Sequence, residues 1–121
     1  MSLELLVAKG HAMTKVATNS KDGIWAYKAC KLSSDILDGV LECCPDPEWV
    51  TNDIIPLLKG IAEAVKKIHL KSPEPFADYT VGFAKNIEER ICRLQKYVED
   101  SVRYMEKNFS QEVGQKSQDN G

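Results

Sequence analysis

The feature that most constrains the fold is one long helical run near the end of the chain. Between Pro75 and Phe109 apolar residues recur every three or four positions, the period that places them on one face of an α-helix. A helix of this length spans about 50 Å, whereas the other helical segments are about two-thirds as long or shorter. We therefore expect its end to extend past them. The apolar positions are Phe76, Phe83, Ile87, Ile91, Leu94, Val98, Val102, Met105 and Phe109.

Three shorter helical segments precede this run, and clusters of turn residues separate all four. They cover about residues 2–18, about residues 23–44, and a third stretch from Pro47 to His69. No stretch alternates apolar and polar residues as a strand would. Because the connections are short and each helix has one dominant apolar face, the sequence predicts an all-α, antiparallel, up-down-up-down four-helix bundle with a long C-terminal helix.

The sequence leaves the course of the third helix open at one proline. Pro56 lies inside the third segment, on its polar side, so we expect one kinked helix, with a break after Thr51 as the alternative. Residues 1–109 form a single domain in this interpretation, and the polar residues 110–121 are predicted to be a disordered tail. The predicted core consists of Leu6, Met13, Trp25, Leu32, Ile36, Val40, Ile54, Ile61, Val65, Ile68, Phe83, Ile87, Leu94 and Val98.

The composition is that of a soluble globular protein. The chain has 121 residues, 43% of them apolar, and a net charge of -2 with cations and anions interspersed, which argues against nucleic acid as a partner. We expect no membrane partner either, since no apolar run has the length of a spanning helix and the start of the chain lacks a basic signal region. A cytoplasmic location is predicted, with all four cysteines as free thiols. Cys30 and Cys44 share an apolar row and are expected to be buried, and Cys92 is expected to be exposed.

No pattern of catalytic residues or metal ligands emerges, so we predict a protein that is not an enzyme and binds no metal or cofactor. His11 is expected to be solvated, and His69 lies among lysines at a helix end, where cations are favoured. The alternative hypothesis is a histidine phosphotransfer domain using His69. The stretch from His69 to Ser72 resembles the His-x-Leu-Lys-Gly-Ser pattern of that family, whose members are four-helix bundles. The leucine here is one place early and Pro73 follows.

The long helix also carries aromatic and basic residues beside its apolar stripe. Tyrosine and arginine are enriched where proteins bind one another, although the rings could simply cover the edge of the core. We predict a non-enzymatic interaction module that binds a protein partner or forms a homo-oligomer, most simply a dimer, through this helix. Tyr79 lies on the same flank, and the predicted interaction surface consists of Arg90, Arg93, Tyr97, Val102, Tyr104, Met105 and Phe109.

Overall fold

The protein is an all-α four-helix bundle with a long C-terminal helix, as predicted. The computed structural model describes the backbone of residues 2–20, 22–71 and 76–119, and the side chains of residues 2–20, 22–71 and 80–109. Among these residues there is no strand. The elements are α1 (Leu3–Thr18), α2 (Ile24–Cys43), the single turn α3 (Pro47–Trp49), a π-helical stretch (Val50–Ile54), α4 (Ile55–Lys71) and α5 (Phe76–Asp119).

Capping residues set the helix ends. The Ser2 hydroxyl accepts a hydrogen bond from the Leu5 N–H at 3.2 Å, so α1 begins after a side-chain cap. Asp46 caps α3 in the same way by accepting from the Glu48 N–H at 3.0 Å, and Pro47 occupies the first turn. Cys44 ends α2 in a left-handed conformation, with φ of 47°. The prediction that Cys44 is buried is wrong, because the reversal of the chain there leaves this residue exposed beyond the end of the helix.

The third segment passes through Pro56 without a break. Its backbone is helical from Pro47 to Lys71, and the turn before the proline widens into the π-helical stretch, in which the Ile55 N–H bonds to the Val50 carbonyl. Proline has no N–H to donate and its ring presses on the preceding turn of an α-helix. A wider turn at this point accommodates both effects, and Pro56 is exposed as expected.

The four long helices form a ring in the order α1, α2, α5, α4. Chain direction alternates from each long helix to the next. The extensive contacts, however, are those of α1 with α2 and α4, and those of α5 with α2 and α4. The sequential neighbours α2 and α4 therefore face each other across a diagonal. Two adjacent pairs run in the same direction: Lys71 Nζ donates to the Thr18 carbonyl between the ends of α4 and α1, and Tyr97 donates to the Pro45 carbonyl where α5 passes the end of α2.

The core follows the prediction closely. Ten of the fourteen predicted core residues are buried, and Met13, Trp25, Phe83 and Val98 are partly buried against them. Close approach of α1 and α4 depends on Gly10, where an added Cβ would lie 2.8 Å from Cδ2 of the buried Leu57. A larger residue at this position would collide with the Leu57 side chain, so glycine permits the present spacing of the pair.

Helix α5 exceeds its predicted length. Its backbone is helical to Asp119, ten residues past the predicted end at Phe109. The prediction of a disordered tail over residues 110–121 stays a prediction, since side chains there lie outside the described residues. The predicted places of Phe76 on the apolar stripe and of Tyr79 on its flank also stay predictions, because their side chains lie outside the described residues.

Candidate interaction surface on α5

The apolar stripe of α5 continues from the core into solvent. Its members are separated by intervals of four, three, four, four, three and four residues, so they share one face of the helix from Ile87 to Phe109. The exposed fraction is 0% at Leu94 and rises to 37% at Val102, 51% at Met105 and 68% at Phe109. The full stripe comprises Ile87, Ile91, Leu94, Val98, Val102, Met105 and Phe109.

The bundle ends where this change occurs. Among the described side chains of α5, Val98 is the last that packs against the core, and one residue earlier the Tyr97 hydroxyl donates to the Pro45 carbonyl at 2.7 Å. From Val102 to its end at Asp119, α5 continues for about 27 Å at 1.5 Å per residue. The predicted overhang is therefore present, and it begins about one turn beyond Val98.

A second face of α5 runs beside the stripe and contacts α2. Phe83, Arg90, Tyr97 and Tyr104 recur at intervals of seven residues. The Phe83 ring packs edge-on against Tyr27 of α2, with ring centroids 6.0 Å apart. Tyr104 continues this row beyond the end of α2 and is 67% exposed. The overhang thus extends both faces that bind other helices within the bundle.

Arg90 is half-buried, and its guanidinium contacts α2 within the bundle rather than an open docking surface. Its Nη1 lies 3.0 Å from the Cys30 carbonyl, 3.1 Å from the Cys30 sulfur and 3.0 Å from the Ser33 hydroxyl, all on α2. Ser33 is fully buried and donates to the Cys30 carbonyl at 2.6 Å. The guanidinium supplies the charged donor that these buried acceptors need.

Tyr97 and Arg93 lie at the boundary between the bundle and the overhang. Tyr97 is half-buried, and its burial raises the pKa of the phenol above its ordinary value, with a smaller opposing effect from Ser101. Arg93 is exposed and lines an open groove of about 450 Å³ together with Leu41, Tyr97 and Ser101. Of the predicted surface, four residues are exposed on the overhang, Tyr97 and Arg93 lie at its base, and Arg90 is engaged elsewhere.

The predicted alternative site, around His69, lies at the opposite end of the bundle. His69 Nδ1 is 2.8 Å from the hydroxyl of the buried Thr80 of α5, at a cleft of about 260 Å³. Lys66 and Lys85 line the same cleft, and Lys66 Nζ lies 2.7 Å from a Glu88 carboxylate oxygen. The hydrogen bond and charge of Glu88 raise the pKa of the Lys66 ammonium.

Other chemistry is limited within the described part of the chain. No group of three or more histidine, cysteine or carboxylate side chains could hold a metal ion there. Nor does any of its helices combine the length and apolar character of a membrane span. His11 and Cys92 are exposed and Cys30 is buried, as predicted.

Comparisons with protein-family models, with curated proteins and with solved structures found no match to this chain.

Proposed function

We propose that the protein is a non-enzymatic helical interaction module, and that it self-associates or binds a partner protein through the exposed end of α5. We call the residues that form this surface the overhang surface: Val102, Tyr104, Met105 and Phe109. Arg93 and Tyr97 lie at its base. Arg90 is not included, because its guanidinium donates hydrogen bonds to Cys30 and Ser33 of α2.

The observation that carries the proposal is the exposure, from Val102 onward, of a stripe that is fully buried about two turns earlier at Leu94. The same helix face that packs at Leu94 is open at Met105 and Phe109. Burying a large apolar side chain fully is worth about 1.5–3 kcal/mol, so a protein that covers these residues gains appreciable binding free energy. Contiguous exposed apolar surface with a polar surround is typical of interaction sites.

The free thiols suit the cytoplasmic location that forms part of the proposal. Cys30, Cys43, Cys44 and Cys92 are all unpaired by disulfides in the structure, and a reducing compartment keeps exposed thiols in that state.

The test uses the substitution Met105→Asp in the full chain, with Leu70→Asp as the matched control. Leu70 is also an exposed apolar residue, 83% accessible, but it lies at the opposite end of the bundle. We expect sedimentation equilibrium to show a self-associating wild type, a Met105→Asp variant that stays monomeric, and a Leu70→Asp variant that behaves as wild type. Circular dichroism should report equal helicity for all three.

Partner binding has its own readout. A photo-crosslinking amino acid placed at position 105 in cells should yield a discrete adduct, and the same amino acid at position 70 should not. If the wild type is monomeric and position 105 gives no adduct, the overhang surface is not an interaction site and the proposal is wrong.

Phosphoryl acceptance at His69 is a second candidate function, favoured by the cleft at that residue. Thr80 holds the imidazole through Nδ1, and Lys66 and Lys85 line the cleft into which the negatively charged group would enter. The unprotonated imidazole nitrogen would attack the phosphorus of a phosphodonor, so the P–N bond forms as the bond to the donor's leaving group breaks, and the proton on the other ring nitrogen is then released to solvent. Incubation with labelled acetyl phosphate should then give acid-labile label that His69→Gln lacks. Label that persists in this variant excludes the site.

A further inference from the structure

We propose that the cleft between α4 and α5 at His69 binds a small organic carboxylate with a compact apolar body, such as the anion of a short-chain fatty acid. The binding is reversible and forms no covalent bond. It therefore goes beyond both functions proposed above and rests on neither of them.

The cleft has an apolar floor on α5. Thr80, Val81 and Ala84 line it, and at helical spacing they share one face with Lys85 and Glu88. Thr80 and Ala84 are only 1% and 6% exposed, so the floor is part of the packed bundle, whereas Val81 is exposed at its edge. The alkyl groups of these three side chains can therefore cover the apolar part of a ligand.

Two polar contacts between α4 and α5 limit the length of the cleft. At one end His69 Nδ1 lies 2.8 Å from the Thr80 hydroxyl, and at the other Lys66 Nζ lies 2.7 Å from a Glu88 carboxylate oxygen. Thr80 and Glu88 are eight residues apart, which is about 12 Å along a helix. The cleft volume of about 260 Å³ is below the range of about 300–1,000 Å³ found for sites of drug-sized ligands. A ligand that fits is therefore short.

The charge of the lining favours an anion. Lys66 is paired with Glu88, whereas Lys85 lines the same cleft and forms no ion pair with any described side chain. With His69 neutral, two lysines against one glutamate leave the lining with one net positive charge. A single carboxylate neutralises this charge while its apolar body covers the floor.

An NMR titration of the full chain with three probes tests this combination. Hexanoate has both the carboxylate and the apolar body, acetate has only the carboxylate, and hexanol has only the apolar body. We expect hexanoate to shift the amide signals of Val81, Ala84 and Lys85 with a Kd of about 1 mM, which a ligand of this size can reach. The other two probes should bind at least about tenfold more weakly. Equal affinity for hexanoate and acetate, or shifts that lie elsewhere on the protein, would contradict the proposal.

Lys85→Gln measures the contribution of the cation, with Lys67→Gln as the control of equal charge change. Lys67 is also exposed, but it does not line the cleft. We expect Lys85→Gln to raise the Kd for hexanoate about tenfold, because a charge-assisted contact is lost, and Lys67→Gln to leave it within about twofold. Circular dichroism should report equal helicity for both variants. Equal weakening by the two would reflect general charge attraction and overturns the site.

Two further variants separate this site from the proposed functions. His69→Gln removes the phosphoryl acceptor but keeps Lys85 and the floor, so it should bind hexanoate within about threefold of wild type. Met105→Asp changes only the overhang surface and should leave hexanoate binding unchanged. A chain that neither self-associates nor accepts a phosphoryl group can still bind hexanoate, and a chain that fails to bind it overturns this inference alone.

Discussion

In the structure Arg90 binds α2 of its own chain, although it was predicted to bind another protein because arginine is common at interfaces. Its place on an aromatic flank suggested binding to another protein, yet its guanidinium lies against three acceptors of α2. The clue in the sequence was Ser33, a hydroxyl within the apolar half of α2. A buried hydroxyl needs partners, and an arginine on the neighbouring helix provides one.

Replacing Arg90 with methionine should lower the free energy of unfolding by about 2 kcal/mol, because hydrogen bonds from a charged donor to buried acceptors are lost while the apolar volume is kept. Arg93→Met is the control: this guanidinium is exposed, so the change should stay within about 0.5 kcal/mol. Urea denaturation of both variants measures the difference. Equal losses would show that the contacts of Arg90 add nothing to stability.

At the scale of the elements, the sequence predicts best what local chemistry decides. The helix starts predicted near residue 2 and at Pro47 agree with the structure, because the effects of Ser2, Asp46 and Pro47 act within one turn. The π-helical stretch before Pro56 was missed, since several backbone arrangements can accommodate a proline. The ring order was missed as well, because a short connection allows the next helix to lie either beside the previous one or across the diagonal.

Two glycines should respond oppositely to the same substitution. Gly82→Ala on α5 should raise the free energy of unfolding by about 0.5–1 kcal/mol, because an added Cβ meets nothing within 4 Å and alanine favours the helix. Gly10→Ala should lower it by about 1 kcal/mol, since displacing Leu57 in the core costs more than the helix gains. Thermal unfolding of the two variants provides the comparison. A stabilised Gly10→Ala would mean that Leu57 can move freely.

At the scale of the whole molecule, the bundle supports only part of its longest helix. Sequence periodicity predicted the length mismatch correctly, because both the stripe and the shorter segments can be counted directly. It did not locate the boundary between core and overhang. That boundary depends on the three-dimensional position of the turn that joins α2 to α3, which contacts α5 through the hydrogen bond from Tyr97 to Pro45.

Truncating the stripe on either side of this boundary should have different consequences. Leu94→Ala should cost about 2–5 kcal/mol at any protein concentration, because the side chain is fully buried within one chain. Met105→Ala should leave the stability of dilute protein unchanged. If the protein forms a dimer, its unfolding temperature rises with protein concentration, and Met105→Ala should make that rise smaller. Calorimetry over a range of concentrations distinguishes them. A midpoint independent of concentration in the wild type would contradict the dimer.

The ring order also has a kinetic consequence. Helices α1 and α2 pack together, as do α4 and α5, so each half of the chain contains a helical hairpin closed by a short turn. Contacts within a hairpin are local and form early, whereas the parallel pairs α1 with α4 and α2 with α5 join residues far apart in the chain. We therefore expect docking of the two hairpins, which are joined near Asp46, to be the slow step of folding. The described side chains of the overhang make no contacts between the hairpins, so the surface proposed to bind another protein takes no part in that step.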